Sequence, residues 1–168
     1  YSPDAPVKAT PLGLSLFAIL VLLRLYFAFT KQLASWLIGV FTVMEMAVVM
    51  GTIWLYHLQF EHPAIVVLKN SGFLYVFVLI ALRGLRFDPL WVILSGFTAA
   101  IGWALLVGFA LHISRGMPLT WDYITYATTG KIHLGAEFDK ILTILLATGI
   151  LALSLNRSRH LLAQSATH

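Results

Sequence analysis

The stretch PLWVILSGFTAAIGWALLVGFALHI, from Pro89 to Ile113, contains no Asp, Glu, Lys or Arg. About 20 residues of α-helix, each rising 1.5 Å, cross the hydrocarbon core of a bilayer. An uncharged apolar run of this length is therefore typical of a transmembrane helix, with some length to spare for tilt. The chain is predicted to be an integral membrane protein.

Composition agrees with a membrane environment. Hydrophobic residues make up 60% of the chain and charged residues only 11%, with a mean hydropathy of +0.88. A soluble domain usually carries about a quarter charged residues. The net charge of +4 is small and the basic residues form no stripe, so nucleic acid is not an expected partner.

Several classes of chemistry are absent from the sequence. The chain has no cysteine, which excludes disulfides, thiolate metal sites and cysteine nucleophiles. It also lacks a phosphate-binding loop, a nucleophile elbow and a helical metalloprotease motif. No catalytic residue is predicted, and this chain alone is not expected to be an enzyme.

The predicted fold is an all-α integral membrane protein, a bundle of about five transmembrane helices with a short interfacial cap segment between the fourth and fifth. Residues 1–10 form an extramembrane lead-in, 11–156 the helical bundle, and 157–168 the start of a linker. The predicted spans are 11–30, 33–58, 64–85, 89–113 and 136–156.

The cap is predicted from the polar segment SRGMPLTWDYITYATTGKIHLGAEFDK, which is too polar to cross a bilayer. Thr120 could cap a short helix that carries Trp121, Ile124 and Ala127 on one side. Trp121, Tyr123 and Tyr126 suit the headgroup layer, where aromatic residues are enriched. We expect residues 118–135 to be ordered on one face of the membrane; the alternative is a loose loop.

Two charges, Arg24 and Glu45, fall inside the predicted spans. A charge in the bilayer costs several kcal/mol, and such residues are often functional. A structural pairing, snorkelling of Arg24 towards the nearby membrane face, and a role as ligand or switch all stay open. In each case Glu45 should face the bundle interior and find a hydrogen-bond partner.

Histidines and acids converge on the face of the membrane where the cap is predicted. Imidazole and carboxylate are ligands for zinc and similar metals, and two histidines at matching depth could hold a haem. The same residues could line a polar pocket for another ligand or make hydrogen bonds at the interface. The candidate ligand or metal residues are His57, Glu61, His62, His112, His133 and Glu137.

Small residues recur four apart in the fourth predicted span. Gly96 is followed by Ala100, and Ala104 by Gly108. This spacing lets two helices approach closely. Packing within the chain is the simpler interpretation, and a dimer seam is the alternative.

Three segments carry a resemblance to a known family: IWLYHLQFEHP, FLYVFVLIALRGLRFDP and GAEFDKILTILLATGILALSL. They resemble the membrane anchor of bacterial class III adenylate cyclases of the alphaproteobacterial type, which has six predicted helices. The opening YSPDAP is similar to the segment that follows the first helix in that family. The resemblance runs over nearly the whole chain, and ALRGLRFDP and GAEFDK are its most specific parts.

The resemblance implies that a first helix precedes Tyr1 and that a cytoplasmic catalytic domain follows His168. ATP and Mg or Mn would belong to that catalytic domain, so no catalytic residue carries over to this chain. It also implies a homodimer in the bacterial inner membrane with a cytoplasmic C-terminus. Basic residues near the spans are split evenly between the two sides, but one set lies in very short loops beside the spans, where the positive-inside rule works best, and this favours a cytoplasmic C-terminus.

Three functions follow as hypotheses. The first is a receptor-like anchor that regulates a cyclase in response to an unknown lipophilic ligand or metal. The second is a purely structural, dimerising anchor. The third is a metal- or haem-binding membrane module like a b-type cytochrome; a transporter ranks last because no inverted repeat is visible.

Overall fold

The computed structural model describes residues 8–32, 34–59, 64–114 and 119–165. Apart from one isolated bridge between Leu119 and Ile132, all regular structure in these residues is helical. Four helices are long and apolar enough to cross a membrane: α1, α2, α5 and α7. The helices are α1 (Ala9–Phe29), α2 (Ser35–Gln59), α3 (Ala64–Val67), α4 (Leu74–Gly84), α5 (Pro89–Ile113), α6 (Tyr123–Thr128) and α7 (Leu134–Ser165), with a 3₁₀ turn at Ser71–Phe73 before α4.

Helix α7 runs antiparallel to α5, whereas α2 runs parallel to it, with Gly39 beside Trp91 and Met50 beside Gly102. Helices α1 and α2 are antiparallel. The start of α1 meets the end of α2, where the Ala9 backbone N donates to Gln59 Oε1 at 2.9 Å. Helix α5 contacts α2, α4 and α7 and contributes the fully buried Trp103 to the core. The predicted bounds of this helix, 89–113, are confirmed. Asp88 begins it by accepting from the Leu90 backbone N at 3.2 Å, with Pro89 in the first turn.

The third predicted span, 64–85, is not one helix. Asn70 has an extended backbone, and its side chain accepts from the Gly72 backbone N at 2.8 Å. This local hydrogen bond competes with a continuous helix and restarts the chain as a 3₁₀ turn. Helix α4 then has only 11 residues, roughly 16 Å at 1.5 Å per residue, too short to cross a bilayer alone.

The fifth predicted span is longer than expected. Helix α7 begins at Leu134, before the predicted start at 136, and continues beyond the predicted end at 156 as far as Ser165. Most of the predicted linker is therefore a direct continuation of the last membrane helix.

One of the two small-residue pairs packs inside the chain. A Cβ atom built on Gly96 would lie 2.0 Å from Thr148 Oγ1 on α7, so the two helices touch at this glycine. Ala100, one turn later, is also buried. By contrast, Ala104 is exposed, and a Cβ on Gly108 would meet nothing within 4 Å. Packing within the chain thus explains the first pair but not the second.

The cap contains a short helix, but its details differ from the prediction. Asp122, rather than Thr120, caps α6 by accepting from the Ile124 and Thr125 backbone N atoms at 3.3 and 3.1 Å. Trp121 is 81% exposed, as an interfacial residue should be. Tyr126 points the other way and is only 8% exposed, because its hydroxyl binds inside the bundle.

Candidate functional site

A buried carboxylate joins three helices near the end of the bundle where α1 and α4 finish. Glu45 on α2 is 2% exposed. Its Oε1 accepts from Arg24 Nη1 on α1 at 3.1 Å, and its Oε2 accepts from Arg83 Nη2 on α4. We call Arg24, Glu45 and Arg83 the inner cluster. The prediction that Glu45 faces the interior and has a partner is confirmed.

Arg83 was not expected in this site. By sequence it lies at the end of an apolar segment, next to Arg86, where a long side chain can reach water. In the structure it is 4% exposed and bonded to Glu45. The sequence did contain one indication that Arg83 is buried. It lies one turn after the apolar Leu79, and that spacing puts both side chains on one face of the helix.

The inner cluster carries two cations and one anion. Removing charges from water is costly, and each charge needs compensation nearby. Glu45 supplies one negative charge to the two guanidinium groups. Among the described residues, Arg83 Nε is buried without a hydrogen-bond partner. The inner cluster therefore has a surplus positive charge and a spare donor.

A second buried carboxylate joins α5, α6 and α7 at the cap. Glu137 is 2% exposed and accepts from three donors. Trp103 Nε1 and the Tyr126 hydroxyl each bind it at 3.0 Å, through Oε2 and Oε1 respectively. Lys140 Nζ lies 3.0 Å from Oε1. We call Glu137, Trp103, Tyr126, Lys140 and the adjoining Lys69 the outer cluster.

Two lysines tie the broken third segment to the cap. Lys140 Nζ donates to the Leu68 carbonyl at 2.6 Å and lies 5.1 Å from the centre of the Trp103 ring. Lys69 Nζ donates to the carbonyls of Tyr126 and Thr129. These bonds hold the turn after α3, helix α6 and the start of α7 together.

Burial changes the proton affinity of the cap residues. It lowers the pKa of the Lys69 ammonium below its ordinary value, although the nearby Glu137 opposes this change. Burial also raises the pKa of the Tyr126 phenol, and Glu137 adds to that effect. Tyr126 consequently stays protonated and donates to the carboxylate.

The described histidines do not converge on one point. His57 Nδ1 binds the Trp54 carbonyl on its own helix, and His112 is exposed. His133 Nδ1 accepts from the Ala136 backbone N at 3.0 Å, so this imidazole caps α7. Its ring centre lies 6.1 Å from that of Tyr126, which places it beside the outer cluster.

Of the four predicted ligand residues that the structure describes, Glu137 alone lies in a buried polar cluster. Glu61 and His62 lie outside the described residues. Among those described, no three His, Cys, Asp or Glu side chains lie close enough to hold one metal ion. Binding of a metal or haem stays a prediction for which the described residues supply no ready set of ligands.

Two grooves open on the sides of the bundle, and both are almost wholly apolar. One, of about 610 Å³, runs between α2 and α5 past Met50, Gly51 and Phe109. The other, of about 320 Å³, lies between α1, α2 and α4. None of the four described ligand candidates (His57, His112, His133 and Glu137) lines either groove, so neither groove is the polar cavity that the sequence predicted.

No protein-family model matches the chain, and no curated protein or solved structure matches it. A functional interpretation therefore depends on the two clusters, the grooves and the resemblance of the sequence segments.

Proposed function

We propose that this chain is the membrane domain of a bacterial class III adenylate cyclase and regulates a cytoplasmic catalytic domain that follows it. The observation that carries the proposal is the continuity of α7. This helix runs for 32 residues from the outer cluster to Ser165 without a break. At 1.5 Å per residue it is roughly 48 Å long, enough to cross the bilayer and extend beyond it.

The start of α7 is held by buried polar contacts. Glu137 lies in its first turn and binds side chains from α5 and α6, while Lys140 binds the Leu68 carbonyl. A change at the cap would therefore act on α7 directly. The other end, from Asn156 to Ser165, is exposed and would lead into a following domain.

The middle of α7 supports transmission along the helix. Helices α5 and α7 pack closely at Gly96, where a Cβ atom would lie 2.0 Å from Thr148 Oγ1. Packed interfaces of this kind switch between discrete arrangements rather than deforming smoothly. A shift or rotation at the cap would reach the C-terminal end of α7, which we place in the cytoplasm of a homodimer in the inner membrane.

A signal requires a ligand that prefers one arrangement of the helices over another. The cap is the natural place for it, because replacing one donor of Glu137 would loosen the link between the start of α7 and either α5 or α6. His133, whose ring centre lies 6.1 Å from that of Tyr126, would form part of the binding surface. The variants below test whether His57 and His112, which the sequence predicted as ligands, contribute as well. The ligand would be a small lipophilic molecule or a metal ion.

The test uses the full-length parent protein in lipid, with its catalytic domain. We compare wild type with Tyr126→Phe, which removes one donor of Glu137 and keeps the ring, and with His57→Ala and His112→Ala. Tyr123→Phe is the matched control, since Tyr123 is 66% exposed. Cyclase rate is followed without additions and then with divalent metals, haem or lipophilic effectors.

We expect Tyr126→Phe to change the basal rate or the response by about five- to 150-fold, the usual range of coupling between sites. Tyr123→Phe should behave like wild type. If every variant matches wild type in rate and response, with unchanged helix content, the chain is a structural anchor only. A Soret absorption band in the purified protein would instead indicate the haem-binding module.

A further inference from the structure

The groove between α1, α2 and α4 points towards the inner cluster, and its lining residues on α2 and α4 end within one turn of Glu45 and Arg83. On α2, Val48 and Val49 line the groove and lie one turn from Glu45. On α4, Leu79 lines it and lies four residues before Arg83. Residues three or four apart share a helix face, so the lining of the groove continues into the charged groups.

Helix α1 follows the same pattern. Its groove-lining residues extend from Thr10 to Phe17, and Arg24 lies two turns further along the same face. The side chain of Arg24 is 27% exposed, whereas that of Arg83 is 5% exposed. The inner cluster is therefore accessible from the lipid through Arg24.

Charge and shape together define what would fit. The surplus positive charge and the spare Arg83 Nε favour an anion, and the apolar walls favour a hydrocarbon chain. We propose that this groove binds an anionic phospholipid, with its phosphate at Arg24 and Arg83 and one acyl chain along the groove. Basic pockets between membrane helices bind lipid headgroups in this way.

The depth of Arg24 and the length of the groove fit a lipid in one leaflet of the bilayer, the leaflet on the side where α1 and α4 end. Arg24 lies five residues before Phe29, about 7.5 Å along the axis, and its long side chain reaches back towards the headgroups. From Leu82 to Tyr75 the groove rises roughly 10 Å towards the bilayer centre. Its volume of about 320 Å³ is within the range of ligand sites.

Binding is measured with the purified full chain in neutral detergent, from the rise in its melting temperature on titration with lipid. The lipids are phosphatidylglycerol and phosphatidylcholine with identical acyl chains, and inorganic phosphate is titrated separately. We expect phosphatidylglycerol to bind about five- to tenfold more tightly than phosphatidylcholine, because the choline cation offsets the phosphate charge of phosphatidylcholine whereas phosphatidylglycerol keeps a net negative charge.

Arg24→Gln removes the surplus charge and leaves the Glu45–Arg83 pair in place. It should lower the affinity for phosphatidylglycerol to that for phosphatidylcholine. Arg157→Gln is the matched control, because Arg157 is an exposed arginine outside the inner cluster. This control should keep the preference, which separates a specific site from general surface charge.

Val78→Phe fills the groove from α4 and should weaken binding of both lipids. Val43→Phe adds the same ring at an exposed position that does not line the groove and should have no effect. The proposal is overturned if both lipids bind equally to wild type, if Arg24→Gln keeps the preference, or if Val78→Phe binds normally. It is also overturned if inorganic phosphate stabilises the protein as well as the lipid does, since the occupant would then be a free anion.

Discussion

Trp103 Nε1 on α5 donates to Glu137 Oε2 on α7 at 3.0 Å, and both side chains are buried. The indole group thus bridges the two helices that make the most extensive contact in the bundle. An indole N–H has one donor and no acceptor, so this bond fixes the ring relative to the carboxylate. The Glu137 carboxylate also accepts from Tyr126 on α6. The Trp103–Glu137 pair therefore connects the helical bundle to the cap.

Trp103→Phe should weaken this link without removing the aromatic core contact. The change deletes the indole N–H and leaves Glu137 with Tyr126 and Lys140. We expect a loss of about 1–3 kcal/mol in stability, the cost of a missing bond to a buried charged group plus a small cavity. Thermal unfolding in lipid nanodiscs measures it. Trp36→Phe is the control at a site that is 70% exposed, and an equal loss there would contradict the assignment.

The inner cluster makes a prediction about charge balance. Glu45→Leu leaves the buried Arg83 beside the partly buried Arg24 with no described counter-charge, which should cost about 3–5 kcal/mol. Glu45→Gln keeps the shape and two acceptor lone pairs, so it should retain the fold at a smaller cost. The triple change of all three residues to Leu should recover stability relative to Glu45→Leu, because no buried charge then remains. Denaturant-induced unfolding of the four proteins gives the order, and a triple variant less stable than Glu45→Leu would disprove this account.

Gly96 and Gly108 on α5 offer a matched pair of positions. Gly96→Ala should destabilise the protein by about 1–3 kcal/mol, because the added Cβ would overlap Thr148 and force the helices apart. Gly108→Ala has open space and should be neutral or stabilising by up to about 1 kcal/mol through helix propensity. Melting temperatures in the same detergent compare them. A separate variant, Gly108→Leu, tests the dimer seam. If it dissociates an oligomer that wild type forms in analytical sedimentation, the face with Ala104 and Gly108 is a dimer seam.

Sequence reasoning succeeded where a single local property decides the structure. The uncharged run 89–113 requires a helix, and Glu45 had to face inward because the hydrocarbon offers a carboxylate no partner. It failed where distant residues compete with a local preference. Tyr126 was expected at the headgroups, but its hydroxyl donates to the Glu137 carboxylate on α7, so the side chain is buried inside the bundle.

The break in the third span, the burial of Arg83 and the position of His133 all result from hydrogen bonds that the sequence pattern did not reveal. Lys69 and Asn70 were counted within one helix, yet Asn70 bonds the backbone two residues on, and Lys69 bonds carbonyls of the cap. Arg83 has a carboxylate partner 38 residues earlier in the chain, a pairing that periodicity cannot reveal. His133 was expected as a ligand, and its side chain instead accepts a backbone bond at the start of α7.

The cap should loosen at low pH through Asp122. Hydrogen bonds from Thr125 and Ile124 lower the pKa of this carboxyl below its ordinary value of 3.8. A carboxyl with a lowered pKa in the folded state stabilises that state above the ordinary value. The contribution is lost as pH falls from 3.8 through the lower folded value, since a protonated Asp122 is a poorer acceptor.

Amide hydrogen exchange at Ile124 and Thr125, compared between neutral pH and pH 3 after correction for intrinsic rates, measures this loosening. Asp122→Asn keeps a neutral cap and should show the same protection at both pH values. Asp122→Ala should be unprotected at both, because no side-chain acceptor remains for the two amides. Protection in wild type that stays constant to pH 2 would show that α6 is held by the Lys69 and Tyr126 contacts and not by its cap.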